Sequence, residues 1–381
     1  MASSPLLLAS VLKPVDDTRM FEKFGRTLAS RPDLAVHIAG RRAPYPRNAP
    51  SNLHTHELLD GSRLSWRRLA AQWRYWKLLR TLQPALVVVH APELLPLTLL
   101  WQRFGRGRRF LYDVRENYAL NILTQQVYPH LVRQVLAKLV RWAETKAARQ
   151  AYKVILAERS YAEELPFALP ERTVILENKY QPQPHEVAPQ PKQRLPAPHE
   201  PLHLLYSGTI SELNGVLEAL EFTRQLRTIW PGAHLTIVGF CQQPALLARL
   251  QAAIANAPGS VTLIGGDRLV PHADIISAIR RAHVGLLPYR PHPSTWRCLP
   301  TKLFEYVAHG LPVIIPDNTL WINYLQNDGI AVVCRDFTSM EAVQDVAAAL
   351  SKTRFYPHGI PADVLWQSEA TKLWAIVDSL Q

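Results

Sequence analysis

The chain has 381 residues, 48% of them apolar and 19% charged, a make-up that excludes wholesale disorder and exceeds the usual size of a single core, so two domains are expected. Cys241, Cys298 and Cys334 stand far apart without paired spacing, which argues against a disulfide framework or a structural zinc site and fits a reducing cytoplasm. The net charge of +12 is uneven: residues 1–179 hold 28 Lys and Arg against 15 Asp and Glu, and the remainder holds 15 against 16, so an acidic partner would meet the first half.

Short apolar runs alternate with amphipathic segments, the pattern of βαβ units and a parallel sheet. The opening run PLLLASVL is too short and lacks the basic flank of an export signal, and no window reaches the ~18 apolar residues that span a bilayer. This run is read as the first strand. Further strands are expected at LAVHIAG, ALVVVHA, RFLYDV, KVILAE and TVILEN, six in all, making one doubly wound domain over residues 1–179. Within it, residues 62–80, SRLSWRRLAAQWRYWKLLR, form an amphipathic helix. Trp66, Leu69, Trp73, Trp76 and Leu79 lie among Arg63, Arg67, Arg68, Arg74, Lys77 and Arg80. Such a helix can lie on an anionic membrane surface, and it can equally be a packed helix with a solvated basic face. Nucleic acid is not expected as a partner, because no RNA-binding or helix-turn-helix motif accompanies the charge.

Residues 180–201 hold seven prolines in 22 residues and read as an extended linker. The strand pattern then restarts at LHLLYSG, HLTIVGF, VTLIGG, VGLLPY, PVIIP and IAVVC, giving a second doubly wound domain over residues 202–355. A last amphipathic segment covers residues 356–381. Open α/β sheets bind ligands at the carboxyl ends of their strands, so the loops there are where chemistry is sought.

The segment PTKLFEYVAHGLPVIIP, Pro300 to Pro316, is the most informative of these. Thr301 is expected to cap a helix of about two turns that ends at Gly310 and cannot pass Pro312. Glu305 then lies near the positive end of that helix, where the amides of Thr301 to Leu303 could hold an anion while the carboxylate takes a ribose diol. A solvated charge paired with Lys302 is the plain alternative.

This segment resembles the donor site of retaining glycosyltransferases of the two-Rossmann (GT-B) type, family 4, in which its glutamate holds the nucleotide ribose. LLYSGTI, LTIVGF, VTLIGG, VGLLPYR and the loop PHPSTWRCLP resemble the strands and loops of the same domain, in the same order. LKPVDDTRM and YDVRENY resemble, more loosely, loops of the acceptor-side domain. The resemblance implies an α/β fold of two Rossmann-like domains facing a central cleft, with a C-terminal helix crossing back to the first. It implies a nucleotide-sugar donor held by Gly208, Thr209, Asn214, Arg290, Arg297, Thr301, Lys302, Leu303 and Glu305. Glu93, Asp113, Arg115 and Glu116 follow strand ends and form the candidate catalytic set, with Asp16, Asp17 and Arg19 on an acceptor-side loop. Transfer with retention to a glycan or lipid-linked acceptor in cell-envelope polysaccharide synthesis is implied, in the cytoplasm or at the inner face of the membrane. No cofactor is expected, and the lack of a D-x-D motif fits a site without a metal.

Three positions depart from the family pattern: Arg297 replaces a glutamate, Asn214 a lysine and Arg115 a histidine. They motivate a second reading, a partner subunit without chemistry. A nucleotide-sugar epimerase of the same fold, using Glu93 and Glu116, is a third. A nicotinamide enzyme is disfavoured, since neither half opens with G-x-G-x-x-G.

Overall fold

The computed structural model describes residues 4–46, 49–61, 66–124, 129–183, 186–325 and 329–380. The chain divides into two compact units, Met1–Gln181 with Trp366–Gln381, and Pro182–Leu365.

The first unit holds strands β1 (Ser4–Pro14), β2 (Leu34–Arg41), β3 (Leu53–Leu59), β4 (Leu86–Val89), β5 (Arg109–Val114), β6 (Lys153–Leu156) and β7 (Thr173–Ile175). They form one sheet in the order β3-β2-β1-β4-β5-β6-β7, with every pairing parallel. The six expected strands are present. The seventh, β3, is an edge strand of sequence LHTHELL whose His54 and His56 face away from the core that holds Leu53, so its apolar content is too low to announce it. Its helices are α1 (Arg26–Ala29), which continues a wide-turned segment Thr18–Gly25, then α2 (Arg67–Leu82), α3 (Leu95–Arg103), α4 (Tyr118–Thr124), α5 (His130–Ala148) and α6 (Tyr161–Glu164). Ser62 and Arg63 of the amphipathic segment lie outside the described residues.

The second unit contains β8 (Leu202–Ile210), β9 (Ala233–Cys241), β10 (Val261–Gly266), β11 (Val284–Leu286), β12 (Val313–Pro316) and β13 (Ala331–Cys334). The sheet order is β10-β9-β8-β11-β12-β13, again parallel throughout. Chain order reverses between β8 and β11, the switch point at which such sheets leave a crevice at their carboxyl edge. The connecting helices are α7 (Val216–Leu226), α8 (Pro244–Ala255), α9 (His272–Arg281), α10 (Thr301–Ala308), α11 (Thr319–Leu325) and α12 (Met340–Lys352).

The proline-rich stretch is held along the second unit. The Lys192 N–H donates to the Gly310 carbonyl at 3.0 Å, the Phe355 N–H to that of Gln193 at 2.9 Å, and Glu186 pairs with Arg280 and His309. The last helix, α13 (Gln367–Asp378), belongs to the first unit. Its Leu373, Ile376 and Val377 share one core with Leu6, Val36, Phe21 and Phe24. Buried Glu369 fixes it in place, accepting from Lys179 at 2.8 Å and Lys372 at 2.9 Å.

Candidate functional site

In the second unit the donor-side residues gather around α10. Tyr306 anchors this helix: its hydroxyl accepts from the Ser207 N–H at 3.0 Å, meets Ser207 Oγ at 2.9 Å, and its ring covers Gly285, where a Cβ would fall 2.4 Å from it. That anchor fixes Lys302 and Glu305, four and one residues earlier.

Lys302 is buried, with Nζ 4.9 Å from the Tyr206 ring centre and 5.3 Å from that of Tyr289. Burial pulls its pKa down to about 8, while the neighbouring Glu305 charge acts in the opposite direction. The lysine reaches this place under Gly208, whose φ of +92° suits glycine and where a Cβ would lie 3.3 Å from Lys302 Cε. Glu305 is half-buried. Its Oε1 lies 3.1 Å from Nε2 of His272, the first residue of α9, and not against Lys302. Sequence reasoning missed His272, Tyr206, Tyr289 and Tyr306. Only the Pro271-His272 step, a helix-start signal, hinted at the first.

Two expectations about the helix start need correction. Pro300, not Thr301, occupies the cap position, because its extended backbone already breaks the helix, and Thr301 is the exposed first helical residue with no capping hydrogen bond. The Leu303 N–H is committed to the Pro300 carbonyl at 2.8 Å and Leu303 itself is buried, which leaves the amides of Thr301 and Lys302 for an anion.

Arg290 is likewise not an open cation. It pairs with Glu218, and with Glu212 at 3.6 Å, so it braces the loop before α7. Asn214 closes the same loop, its Nδ2 donating to the Thr209 carbonyl at 3.1 Å. Thr209 and Arg297 are exposed, the latter on the loop that precedes α10. Gly215 ends the turn with a φ of +77°, and a Cβ there would sit 1.7 Å from the Pro288 carbonyl oxygen. Gly215→Ala is therefore expected to destabilise the second unit by more than the roughly 1–3 kcal/mol of backbone strain alone, measured by urea unfolding. A loss below about 0.5 kcal/mol would mean the turn is not held as described.

In the first unit the expected catalytic residues do not stand together as open acids. Asp113 is fully buried, bound by Arg19 through two bonds of 2.6 and 2.8 Å and by His90 Nδ1 at 2.6 Å. Burial alone would raise its carboxyl pKa, but the Arg19 charge and hydrogen bonds hold it well below the ordinary range. Arg19, expected with Asp16 and Asp17 on the acceptor-side loop, is as deeply buried and also donates to Asn178 at 2.9 Å. These two are corrected from site residues to a structural ion pair, because neither has surface left for a ligand. Nothing in the sequence announced His90 and Asn178 as their partners.

Asp17 accepts from the backbone N–H groups of Arg19 and Met20 and from Arg115 at 2.8 and 3.1 Å. Burial opposes its ionisation, yet Arg115 overrides it and the pKa falls. Arg115 thus locks the loop before the first helix. Glu116 is more open, with Lys13 at 3.3 Å and Asn121 at 3.0 Å. Glu93, in the short turn Pro92–Leu94 that follows β4, has its pKa raised by burial and Arg68 3.5 Å away. Asp16 is exposed, and partial burial of its carboxyl still raises its pKa.

Residues 201–352 match the family model described as glycosyl transferases group 1. No curated protein matches the chain. Among solved structures, sucrose-phosphate synthase from Thermosynechococcus elongatus superposes with a TM-score of 0.68 at 15% identity over 99% of both chains. Anabaena HepE in complex with UDP and glucose gives 0.64 at 12% identity, over 99% of this chain and 100% of the other. WaaG, a glycosyltransferase involved in lipopolysaccharide biosynthesis, gives 0.61 at 13% identity over 97% and 99%. At these identities the likeness establishes the fold. The two-sheet architecture is therefore the GT-B fold that these structures share, and within it residues 201–352 are the part that matches the group 1 glycosyl transferase model.

Proposed function

We infer that the protein is a retaining hexosyltransferase that moves a sugar from a nucleoside diphosphate to a glycan or lipid-linked acceptor, in cell-envelope polysaccharide synthesis at the cytoplasmic face of a membrane. The observation that carries this reading is the presence, within one turn of α10 beside the switch point of the second sheet, of both a half-buried carboxylate, Glu305, and a buried ammonium, Lys302.

In this reading the ribose hydroxyls donate to Glu305, whose orientation His272 fixes from the far side. The diphosphate leaves with its charge growing as the glycosidic bond breaks. Lys302 and the amides of Thr301 and Lys302, at the positive end of the helix, stabilise that charge in place. In this reading the nucleotide sugar is a co-substrate beside the acceptor, and no further cofactor is called for. In the first unit, Glu93 and Glu116 are the acids left to orient an acceptor hydroxyl once Asp113 is set aside.

A nucleotide-binding partner subunit without transfer activity is the second reading, favoured by the Asp17–Arg115 pair in place of an open histidine. A thermal-shift titration of the wild type and Glu305→Ala against UDP-, GDP-, ADP-, CMP- and dTDP-linked sugars tests the donor site. UDP-glucose comes first, since a HepE structure holds it. A ligand at 100-fold its Kd stabilises by roughly 2.7 kcal/mol. One nucleotide class shifting the wild type and not the variant supports the site; no shift from any of them removes it. Turnover with an acceptor then separates transferase from partner subunit.

A further inference from the structure

Three helices of the first unit leave large apolar side chains in water. α5 buries small residues, Ala137, Ala147 and Ala148, together with Glu144, while Leu131, Val135, Leu139 and Trp142 are exposed, Trp142 by 62%. At about 100° per residue those four outward positions fall within about 80° of one another and roughly opposite the buried set. α2 repeats the arrangement. It buries Ala71, Tyr75 and Leu79 and leaves Trp66, Leu69 and Trp73 in water, Trp66 by 89%. α3 packs against both, tied to α2 by the Tyr75–Thr98 hydrogen bond, and adds Leu100 and, just past its end, exposed Phe104.

Large apolar side chains gathered on neighbouring helices mark a surface that meets a partner. Charge identifies which. α2 carries five Lys and Arg, α3 one and α5 four, and the three helices together hold a single carboxylate, Glu144, which is buried. Two surface grooves flank Trp142. One, of about 740 Å³, runs between α3 and α5 past Leu99, Arg103, Lys146 and Arg149; the other, of about 790 Å³, runs between α4 and α5 past Leu120, Leu123, Lys138 and Arg141. Neither lining includes a carboxylate. Lys146 and Lys77 lie 5.2 and 5.6 Å from the rings of Trp142 and Trp73, so cation and aromatic ring are presented side by side.

We propose that the α2, α3 and α5 layer is a docking face for an anionic phospholipid bilayer, with leucine and tryptophan entering the interface and the basic groove walls taking headgroup phosphates. Nucleic acid would use the cations but not the outward leucines and valine. This face is wider than the segment 62–80 marked by its sequence. Leu79, read there as part of the membrane stripe, is buried, and α5 supplies the larger share. The proposal rests on the first unit alone, so it stands or falls independently of the donor site.

The test is co-sedimentation of the full chain with vesicles of phosphatidylcholine alone and of phosphatidylcholine mixed equally with phosphatidylglycerol. Binding to the mixed vesicles at least about tenfold tighter, and weakened by high salt, is expected. The double variant Leu131→Glu/Leu139→Glu should lose roughly tenfold or more of that binding with unchanged circular dichroism and melting, because both side chains stand in water. Equal binding to the two lipids, no binding, or a variant that binds like the wild type overturns the proposal. So does a lipid-free dimer, or single-stranded RNA binding, that the double variant abolishes, since either would assign the face to another partner.

Discussion

Lys302→Met is expected to stabilise the unliganded protein at pH 7 and to remove most of its affinity for a nucleoside diphosphate. The ammonium lies buried beside two tyrosine rings, and burial lowers its pKa to about 8 from the ordinary 10.5. The folded state therefore holds this proton less well than the unfolded chain does. The resulting penalty is full below pH 8, shrinks as pH rises towards 10.5 and is absent above it. At pH 7 it amounts to roughly 3 kcal/mol, which methionine would recover because it fills the same space without a charge. The gain in melting temperature should thus be largest near neutrality and vanish in strong alkali.

A bound diphosphate reverses the balance. Its negative charge favours the ammonium, so binding above pH 8 should take up a proton and weaken as the pH climbs. Calorimetry in two buffers of different ionisation heat reads that proton directly. A variant no more stable than the wild type at pH 7, or one that binds nucleotide equally well, would show that Lys302 is an ordinary packed side chain.

How far the sequence speaks for itself differs between the two sites, and burial explains why. The six strands of the second sheet are legible because each is a near-continuous apolar run; all four residues of β12, for example, are buried. Glu305 is legible because a carboxylate in an otherwise apolar helix is a local anomaly. Its partner His272 is not, since 33 residues and a loop without signature separate them. On α2, tryptophan and leucine outweigh Ala71 and Tyr75 in any count of periodicity, yet the structure buries the latter pair and exposes Trp66 and Trp73. Large apolar residues mark a core face only when nothing but the core wants them.

The charges of the first unit carry the same lesson to a prediction. Asp113→Ala is expected to destabilise the protein by about 3–5 kcal/mol, because it leaves the Arg19 guanidinium buried without its counter-ion and strips His90 of its partner. In a unit of this size that is a fall in melting temperature on the order of 10 °C. The depressed pKa of Asp113 fixes the sign of the pH dependence: its stabilisation is fully present above the usual aspartate range and is lost as the carboxylate protonates in acid. The gap between wild type and variant should therefore narrow only at low pH. Arg19→Met/Asp113→Leu, which removes both charges and keeps the volume, should recover much of the loss, as buried pairs replaced together by apolar residues commonly do. A residue that acted on the acceptor instead would give the opposite pattern. Asp113→Ala would then melt within about 0.5 kcal/mol of the wild type while turnover collapsed, and the double variant would rescue nothing.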